Sequence, residues 1–462
     1  MNKNKNTINR RDFLSSAAAV GAAGAFGAGS LLASCGNGGK TPGLTPLIPE
    51  TQWNIPDSLP DKANDGRPLK VGLVGCGNRG TGAVQDLLKA ADNLSVVALG
   101  DLFQDRIDGT RKILKEKMEL EVPDENCFTG FDSYLKVINS DIDLVLLASP
   151  PAFRPLHFKA AVNAGKHAFL EKPMAVDPAG CRSVIASSKK AVSQGLVVIT
   201  GTQRHHERKY IEGYKQVQSG LIGKIQYADI YWNTGSHWYR FKEKGWTDME
   251  WMIRDWGNWT WLSGDHIVEQ HVHNIDVVNW FLGRKPVKAT GFGAHLHRNT
   301  GDQFDMFSIN YLYEDNISVR SMCRQIDGCS NRISEFIQGT EGSWSNEGVI
   351  KDLDGNVLWK YDSDKEKAEF KRTSGFVLEH VNMINHIRGN KPISQAEDTA
   401  ISTLTAIMGR MSAYTGEDLT WEQVMGSDLN LVPEDLALKD VDMSKYAILV
   451  PGKPTGRKNN QR

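Results

Sequence analysis

The sequence predicts an α/β chain, with a doubly wound parallel sheet first and antiparallel strands later. Three observations predict it. Residues 69–74 form a short apolar run that passes at once into Gly75-Cys76-Gly77-Asn78-Arg79-Gly80 and a helical stretch through about Ala91. Residues 143–148 read as a continuous apolar strand of the kind expected when both sheet faces are covered. Later segments, residues 306–311 and 317–320, alternate as half-buried antiparallel strands do. The 462 residues, 40% hydrophobic and 24% charged, are globular in composition and long enough for about two or three domains. A formal charge of -1 offers nothing to nucleic acid or to an anionic membrane surface, so an uncharged small ligand fits better. Six scattered cysteines, with no Cys-x-x-Cys pair, exclude a disulfide scaffold and a zinc or thiol-redox motif.

The first 68 residues read as an address and a tether. Lys3, Lys5, Arg10 and Arg11 precede an Ala/Gly-rich apolar run over residues 13–33. Asn9-Arg10-Arg11-Asp12-Phe13-Leu14 resembles a twin-arginine export signal, and Leu32-Ala33-Ser34-Cys35 resembles a lipobox whose cysteine is lipidated after cleavage. The expectation is a signal over residues 1–34, export to the periplasm, and membrane attachment only through a lipid on Cys35. The competing readings are a transmembrane anchor, against which the small-residue content argues, and a frayed N-terminus. Residues 35–68, punctuated by Gly and by Pro42, Pro46, Pro49, Pro56 and Pro60, form the lipid-attached tether. Cleavage leaves a mildly acidic chain, and the twin-arginine route carries proteins already folded, commonly with a cofactor loaded beforehand.

From residue 69 the elements follow in order. In the glycine turn, one glycine permits the tight bend, one admits a pyrophosphate against the backbone, and one allows close helix-to-strand packing, while the helix N-terminus favours phosphate. A second strand over residues 94–99 ends at Asp101, twenty-one residues after Gly80. Its carboxylate suits the ribose hydroxyls of NAD and repels the 2′-phosphate of NADP, a preference that Arg79 and Arg106 soften. The alternative is a glycine turn in an unrelated α/β fold with a surface aspartate. The apolar strand at residues 143–148 ends in Ser149-Pro150-Pro151, residues 155–164 are helical up to Gly165, and residues 167–170 form a strand that delivers Glu171-Lys172-Pro173 to its C-terminal end, where ligands of such sheets bind.

Residues 71–80, the Ser149-Pro150 turn, His157, Ala164-Gly165-Lys166-His167 and Glu171-Lys172-Pro173 together resemble the Gfo/Idh/MocA oxidoreductases over roughly residues 69–420. The resemblance implies an N-terminal Rossmann dinucleotide-binding domain (69–200), then an α+β domain (201–440) whose open, mostly antiparallel sheet faces the nicotinamide and supports contacts in a homo-oligomer. Residues 441–462 are expected as a C-terminal tail, solvated around Lys453, Arg457, Lys458 and Arg462. The implied cofactor is NAD, with NADP less favoured, held by Gly75, Gly77, Asn78, Arg79, Gly80, Asp101, Arg106, Ser149, Pro150, His157, Glu171 and Lys172.

Eight of the twelve tryptophans lie between residues 232 and 280, interleaved with His237, Tyr239, Arg240, Arg254 and Asp255. Such density suits a carbohydrate or cyclitol, whose apolar faces pack on aromatic rings, and equally suits an aromatic packing insert or a subunit interface. Lys172, Arg204, Trp238, Trp256 and His273 are the candidate substrate contacts. In the family an Asp and a His four residues apart stand beside the catalytic lysine; here the pair is Glu269 and His273, and that spacing puts both on one face of a helix. Removing a hydroxyl proton as hydride leaves its carbon needs a base, and neutral histidine suits the task. Lys172, His273 and Glu269 are therefore the catalytic candidates, with Lys172 steadying the developing alkoxide and Glu269 orienting His273 and favouring its protonated form. The bland alternatives are a phosphate-contacting Lys172 and a core His273. Glu269, His271 and His273 with His205, His206 or His237 supply metal-ligand types, but His271 would leave the 269/273 face of a helix, and no metal is expected. The leading expectation is hydride transfer between a sugar, glycoside or cyclitol hydroxyl and a tightly held nicotinamide. The rivals are a redox-assisted glycosidase or epimerase, and a non-catalytic carbohydrate-binding lipoprotein.

Overall fold

The computed structural model describes residues 58–452 together with Trp53, Ile55 and Pro56. The twin-arginine segment, the lipobox with Cys35, most of the tether, and the terminal Lys453, Arg457, Lys458 and Arg462 lie outside the described residues.

The first sheet is built from β1 (Leu69–Val74), β2 (Leu94–Asp101), β3 (Cys127–Thr129), β4 (Leu144–Leu147), β5 (His167–Leu170) and β6 (Val197–Thr200). Every pairing is parallel, in the order β3-β2-β1-β4-β5-β6, with the short strand Ile393–Ser394 added beyond β6. Helices cover both faces, so β4 and β6 are wholly buried and β1 exposes only Lys70. The strand order reverses between β1 and β4, and the crevice that this reversal opens at the C-terminal strand ends is where such folds bind ligands.

The second sheet holds β7 (Ile225–Thr234), β8 (Lys288–Ala294), β9 (Met306–Leu312), β10 (Ser318–Gln325), β11 (Arg332–Gly339), β12 (Gly342–Ser345), β13 (Val349–Asp352) and β14 (Val357–Lys360), with Leu419–Thr420 at one edge. β7 pairs parallel with β10 and all other pairings are antiparallel. The helix Val272–Leu282 is buried at every residue. The helix Ala396–Thr415 packs on both the helix Pro178–Ser193 and β8, and its buried hydroxyls find partners on either side. Thr399 meets Thr200 at 2.9 Å, and Ser402 and Thr405 accept from Asn279 Nδ2 at 3.3 and 3.2 Å.

One expectation about organisation changes. The segment expected to stay with the second sheet sends Ile393–Ser394 back to cover the edge of β6, which satisfies backbone groups there. The described part of the C-terminal segment is docked: Val441 N–H donates to Asp248 at 3.2 Å, and Tyr446 meets Trp259 edge-on at 6.1 Å.

Candidate active site

The glycine turn divides its work as its spacing suggests. Gly75 sits at φ +95°, and a Cβ there would stand 2.5 Å from the Ala148 carbonyl carbon. A Cβ on Gly80 would stand 1.9 Å from the Gly75 oxygen, so only glycine lets the helix Asn78–Ala90 close on the turn. A Cβ on Gly77 would meet nothing within 4 Å. Gly77 caps that helix with no side-chain bond to its first N–H groups, which face open space suited to an anion.

That space is a cleft of about 680 Å³. Gly75, Gly77, Asn78, Arg79, Gly80, Asp101, Arg106, Ser149, Pro150 and His157 all line it, whereas Glu171 and Lys172 do not. Asp101 is held by the N–H groups of Cys76 at 2.7 Å and Phe103 at 3.0 Å, and burial raises its pKa despite those donors. His157 Nδ1 lies 3.0 Å from Ser149 Oγ, its ring stacked on Tyr134 at 4.2 Å. Burial, with the adjacent Arg154 guanidinium, pushes His157 down to about 3, so it is neutral. Arg154 is 2% exposed and donates to the carbonyls of Pro173 at 2.5 Å and Ser149 at 2.7 Å, tying the Ser149 turn to the Glu171-Lys172-Pro173 segment. A buried cation at a helix start has no periodicity signal, which is why the sequence does not single it out. The open backbone at Gly77, the ribose-competent carboxylate at Asp101 and the cleft joining them fit a dinucleotide. Arg79 lines the cleft with its guanidinium committed to Glu171 at 2.5 Å and Glu379 at 3.3 Å.

Beyond β5, Lys172 Nζ donates to Glu269 Oε1 at 2.9 Å and to the Glu269 main-chain carbonyl. Burial opposes ionisation of Glu269, but the charges of Lys172 and His237 outweigh it and hold the carboxyl below its usual range. The expected single helix is absent. One helix ends at Glu269, Gln270 and His271 intervene, and the next begins at Val272. Glu269 therefore serves Lys172, and no hydrogen bond among the described residues joins it to His273. Nor does it favour protonated His273: burial, then the charges of Lys172 and Arg204, set that imidazole well below its usual pKa. The ring is 8% exposed and stacked on Trp232 at 5.8 Å and 23°. His271 lies apart, fully buried, with Nε2 2.8 Å from Ser321 Oγ. No three His, Cys, Asp or Glu side chains among the described residues are arranged to hold a metal ion.

The three other expected substrate contacts do not share one place: Arg204 lies 5.9 Å from the Trp232 ring that stacks on His273, whereas the two tryptophans line the other cleft. Arg204 is buried against Glu335 at 2.5 Å, a carboxylate that offsets its charge in the interior. Trp238 and Trp256 line the cofactor-type cleft near Asp101, carried there by the loop after β7. The sequence reading missed Gln270, which joins the layers: its Oε1 accepts from Trp232 Nε1 at 3.1 Å and Gln325 Nε2 at 2.8 Å, and its Nε2 lies 3.3 Å from His237 Nδ1. No sequence signal marked it, because its place is set by the break between the two helices, which the residue pattern does not show.

Comparison with known proteins adds the following. Residues 69–202 match the model of an oxidoreductase family with an NAD-binding Rossmann fold, residues 212–345 match the GFO/IDH/MocA C-terminal domain, and residues 7–27 match a twin-arginine translocation signal sequence. The chain is 26% identical over 217 residues to an inositol 2-dehydrogenase/D-chiro-inositol 3-dehydrogenase of Lactiplantibacillus plantarum, covering 46% of this chain and 52% of that protein. It is 27% identical over 215 residues to an inositol 2-dehydrogenase of Salmonella typhimurium, covering 46% and 54%. The chain thus spans about half the length of the curated relatives it matches. The structure of scyllo-inositol dehydrogenase from Lactobacillus casei with NAD(H) and scyllo-inositol shares the fold at a TM-score of 0.57 and 20% identity, covering 76% of this chain and 99% of that one. An aldose-aldose oxidoreductase from Caulobacter crescentus does so at 0.58 and 16%, covering 77% and 100%. With family models matching it from β1 through β12, the chain belongs to the Gfo/Idh/MocA oxidoreductase family.

Proposed function

We propose that this chain is an exported oxidoreductase that transfers hydride between a hydroxyl-bearing carbon of a sugar, glycoside or cyclitol and a tightly held NAD, with NADP the poorer cofactor. The observation that carries this reading is the grouping of Lys172, Glu269 and a neutral His273 beyond the strand ends, beside a cleft suited to a dinucleotide. NAD, when bound, supplies the hydride acceptor. His273, kept neutral by burial, takes the hydroxyl proton, and its Trp232 stack fixes the ring plane. Lys172 places a cation at the developing alkoxide, and Glu269 holds that ammonium in position. Relatives named as inositol dehydrogenases support the cyclitol class. The twin-arginine signal supports export with the cofactor loaded beforehand, and we place the mature chain in the periplasm with a lipid on Cys35. Tyr227 and Met322 stand exposed on the outer face of the second sheet beside the Arg320–Asp229 pair, which supports a homo-oligomer.

The test is to purify the chain from cytoplasmic expression, denature it, and identify any released nucleotide and its ratio to protein, then incubate the enzyme with cyclitols, sugars and glycosides. A keto product with reduced nicotinamide supports the proposal. A released aglycone or an epimer without net redox replaces it with transient oxidation. A chain that neither carries nor binds NAD or NADP leaves a carbohydrate-binding lipoprotein.

A further inference from the structure

The far wall of the cofactor-type cleft is not made by the first sheet. It comes from the segment between β7 and the helix Thr260–Ser263, which contributes Trp238, Tyr239, Arg240, Arg254 and Trp256. This segment is fastened onto the start of the helix Gln104–Met118 that follows β2. Arg254 makes two bonds to Asp105, at 3.2 and 3.1 Å, and its guanidinium lies 3.8 Å from the centre of the Phe103 ring. Its other side is held by Glu250 at 2.9 Å. The backbone that carries the rings is pinned as well. The Trp238 carbonyl accepts from Asn258 Nδ2 at 3.0 Å, Arg240 N–H donates to Asp255 at 2.7 Å, and the Arg240 carbonyl accepts from Trp251 Nε1 at 2.7 Å. Trp238 and Tyr239 nevertheless remain 41% and 43% exposed. Large rings held in place but left bare at a cavity wall gain most when a flat apolar face covers them.

We infer that this segment belongs to the nucleotide site: its aromatic wall clasps the adenosine half of the dinucleotide, and the Arg254–Asp105 latch slows cofactor exchange. The inference rests on the nicotinamide reading above. The wall shares its cleft with Asp101 at the end of β2 and with Phe103 and Arg106 just beyond it, where this fold places the adenosine ribose. A purine offers the planar face that Trp and Tyr rings accept, and Arg106 and Arg240 suit the adjoining phosphates. Lys172, Glu269 and His273, which would meet the nicotinamide end, do not line this cavity.

The test compares the full chain with Trp238→Ala, Arg254→Gln and the conservative Arg254→Lys, each stripped of nucleotide. Calorimetric titration uses NAD, ADP-ribose and nicotinamide mononucleotide, and stopped-flow displacement measures the rate of NAD release. Trp238→Ala and Arg254→Gln are expected to weaken ADP-ribose and NAD by about ten- to hundredfold, speed NAD release in proportion, and leave the mononucleotide unchanged, with Arg254→Lys intermediate. Trp238 is exposed and the segment's backbone bonds do not use its ring, so this variant keeps the fold, and its melting curve verifies that. ADP-ribose affinity unchanged in both variants, as a carbohydrate-facing wall would give, overturns the inference. An equal loss of mononucleotide affinity, the sign of a collapsed cleft, overturns it too. If the unmodified chain binds no dinucleotide, the nicotinamide reading fails first; if it binds NAD and the variants match it, only the clasp fails.

Discussion

Lys172 and Glu269 share one ammonium–carboxylate contact, so their substitutions separate charge from position. Lys172→Ala removes the cation at the alkoxide, and we expect turnover to fall by at least about a hundredfold while NAD still binds, measured by single-turnover absorbance and by titration. Retained turnover would reduce Lys172 to a structural cation. Glu269→Gln keeps a hydrogen-bonding oxygen for Nζ and loses only the charge, so a smaller fall, about tenfold, is expected in kcat with KM little changed. The glycine turn separates fold from binding in the same way. Gly77→Ala puts its methyl in open space and is expected to leave the melting temperature near that of the parent while weakening NAD. Gly80→Ala drives a methyl to 1.9 Å from the Gly75 oxygen and is expected to cost about 2 kcal/mol or more of stability. Equal melting temperatures for the two variants would contradict the assigned roles.

At the scale of elements, the break between the helix ending at Glu269 and the one starting at Val272 turns Glu269 toward Lys172 and leaves His273 on Trp232. Spacing of four residues puts side chains on one face only where the helix is continuous. Gly264 and Asp265, both at positive φ, set the entry to this stretch, and Asp265 is fully buried, receiving His266 N–H at 2.5 Å and the Tyr414 hydroxyl. Nothing in the alternation of residues 264–280 marks that break. The strands β1, β4, β5 and β6, by contrast, are legible, because burial on both faces writes itself into each as an unbroken or nearly unbroken apolar run.

For the whole molecule, buried neutral histidines set the response to acid. Burial pushes His157, His206 and His271 down to about 3, with neighbouring cationic groups reinforcing it. In the unfolded chain each returns to about 6.5. Below that pH the unfolded chain binds protons that the folded chain refuses, so stability is complete above about pH 6.5 and falls by about 1.4 kcal/mol per histidine for each unit of acid until the folded rings protonate at about 3. The denaturant midpoint is therefore expected to be clearly lower at pH 5 than at pH 7, and an unchanged midpoint would mean these rings are reached by water. The twin-arginine signal matched at residues 7–27 would act on the molecule as a unit too. Replacing Arg10 and Arg11 together by lysine is expected to leave active enzyme in the cytoplasm, read by fractionation, whereas Cys35→Ser should let the exported protein wash free of membranes.

By itself the sequence determined the parallel sheet, the glycine turn, the acid at Asp101 and the delivery of Lys172 to a strand end. These depend on neighbours within a few residues, whose periodicity and conformational demands are local. The tertiary structure alone decided the partners. Lys172 finds Glu269 across 97 residues, Arg204 is neutralised by Glu335 across 131, and Arg254 meets Asp105 across 149, so that two tryptophans reach the cofactor-type cleft. A buried charge must be paired wherever the fold brings a counter-charge, and that choice is made by packing rather than by spacing along the chain.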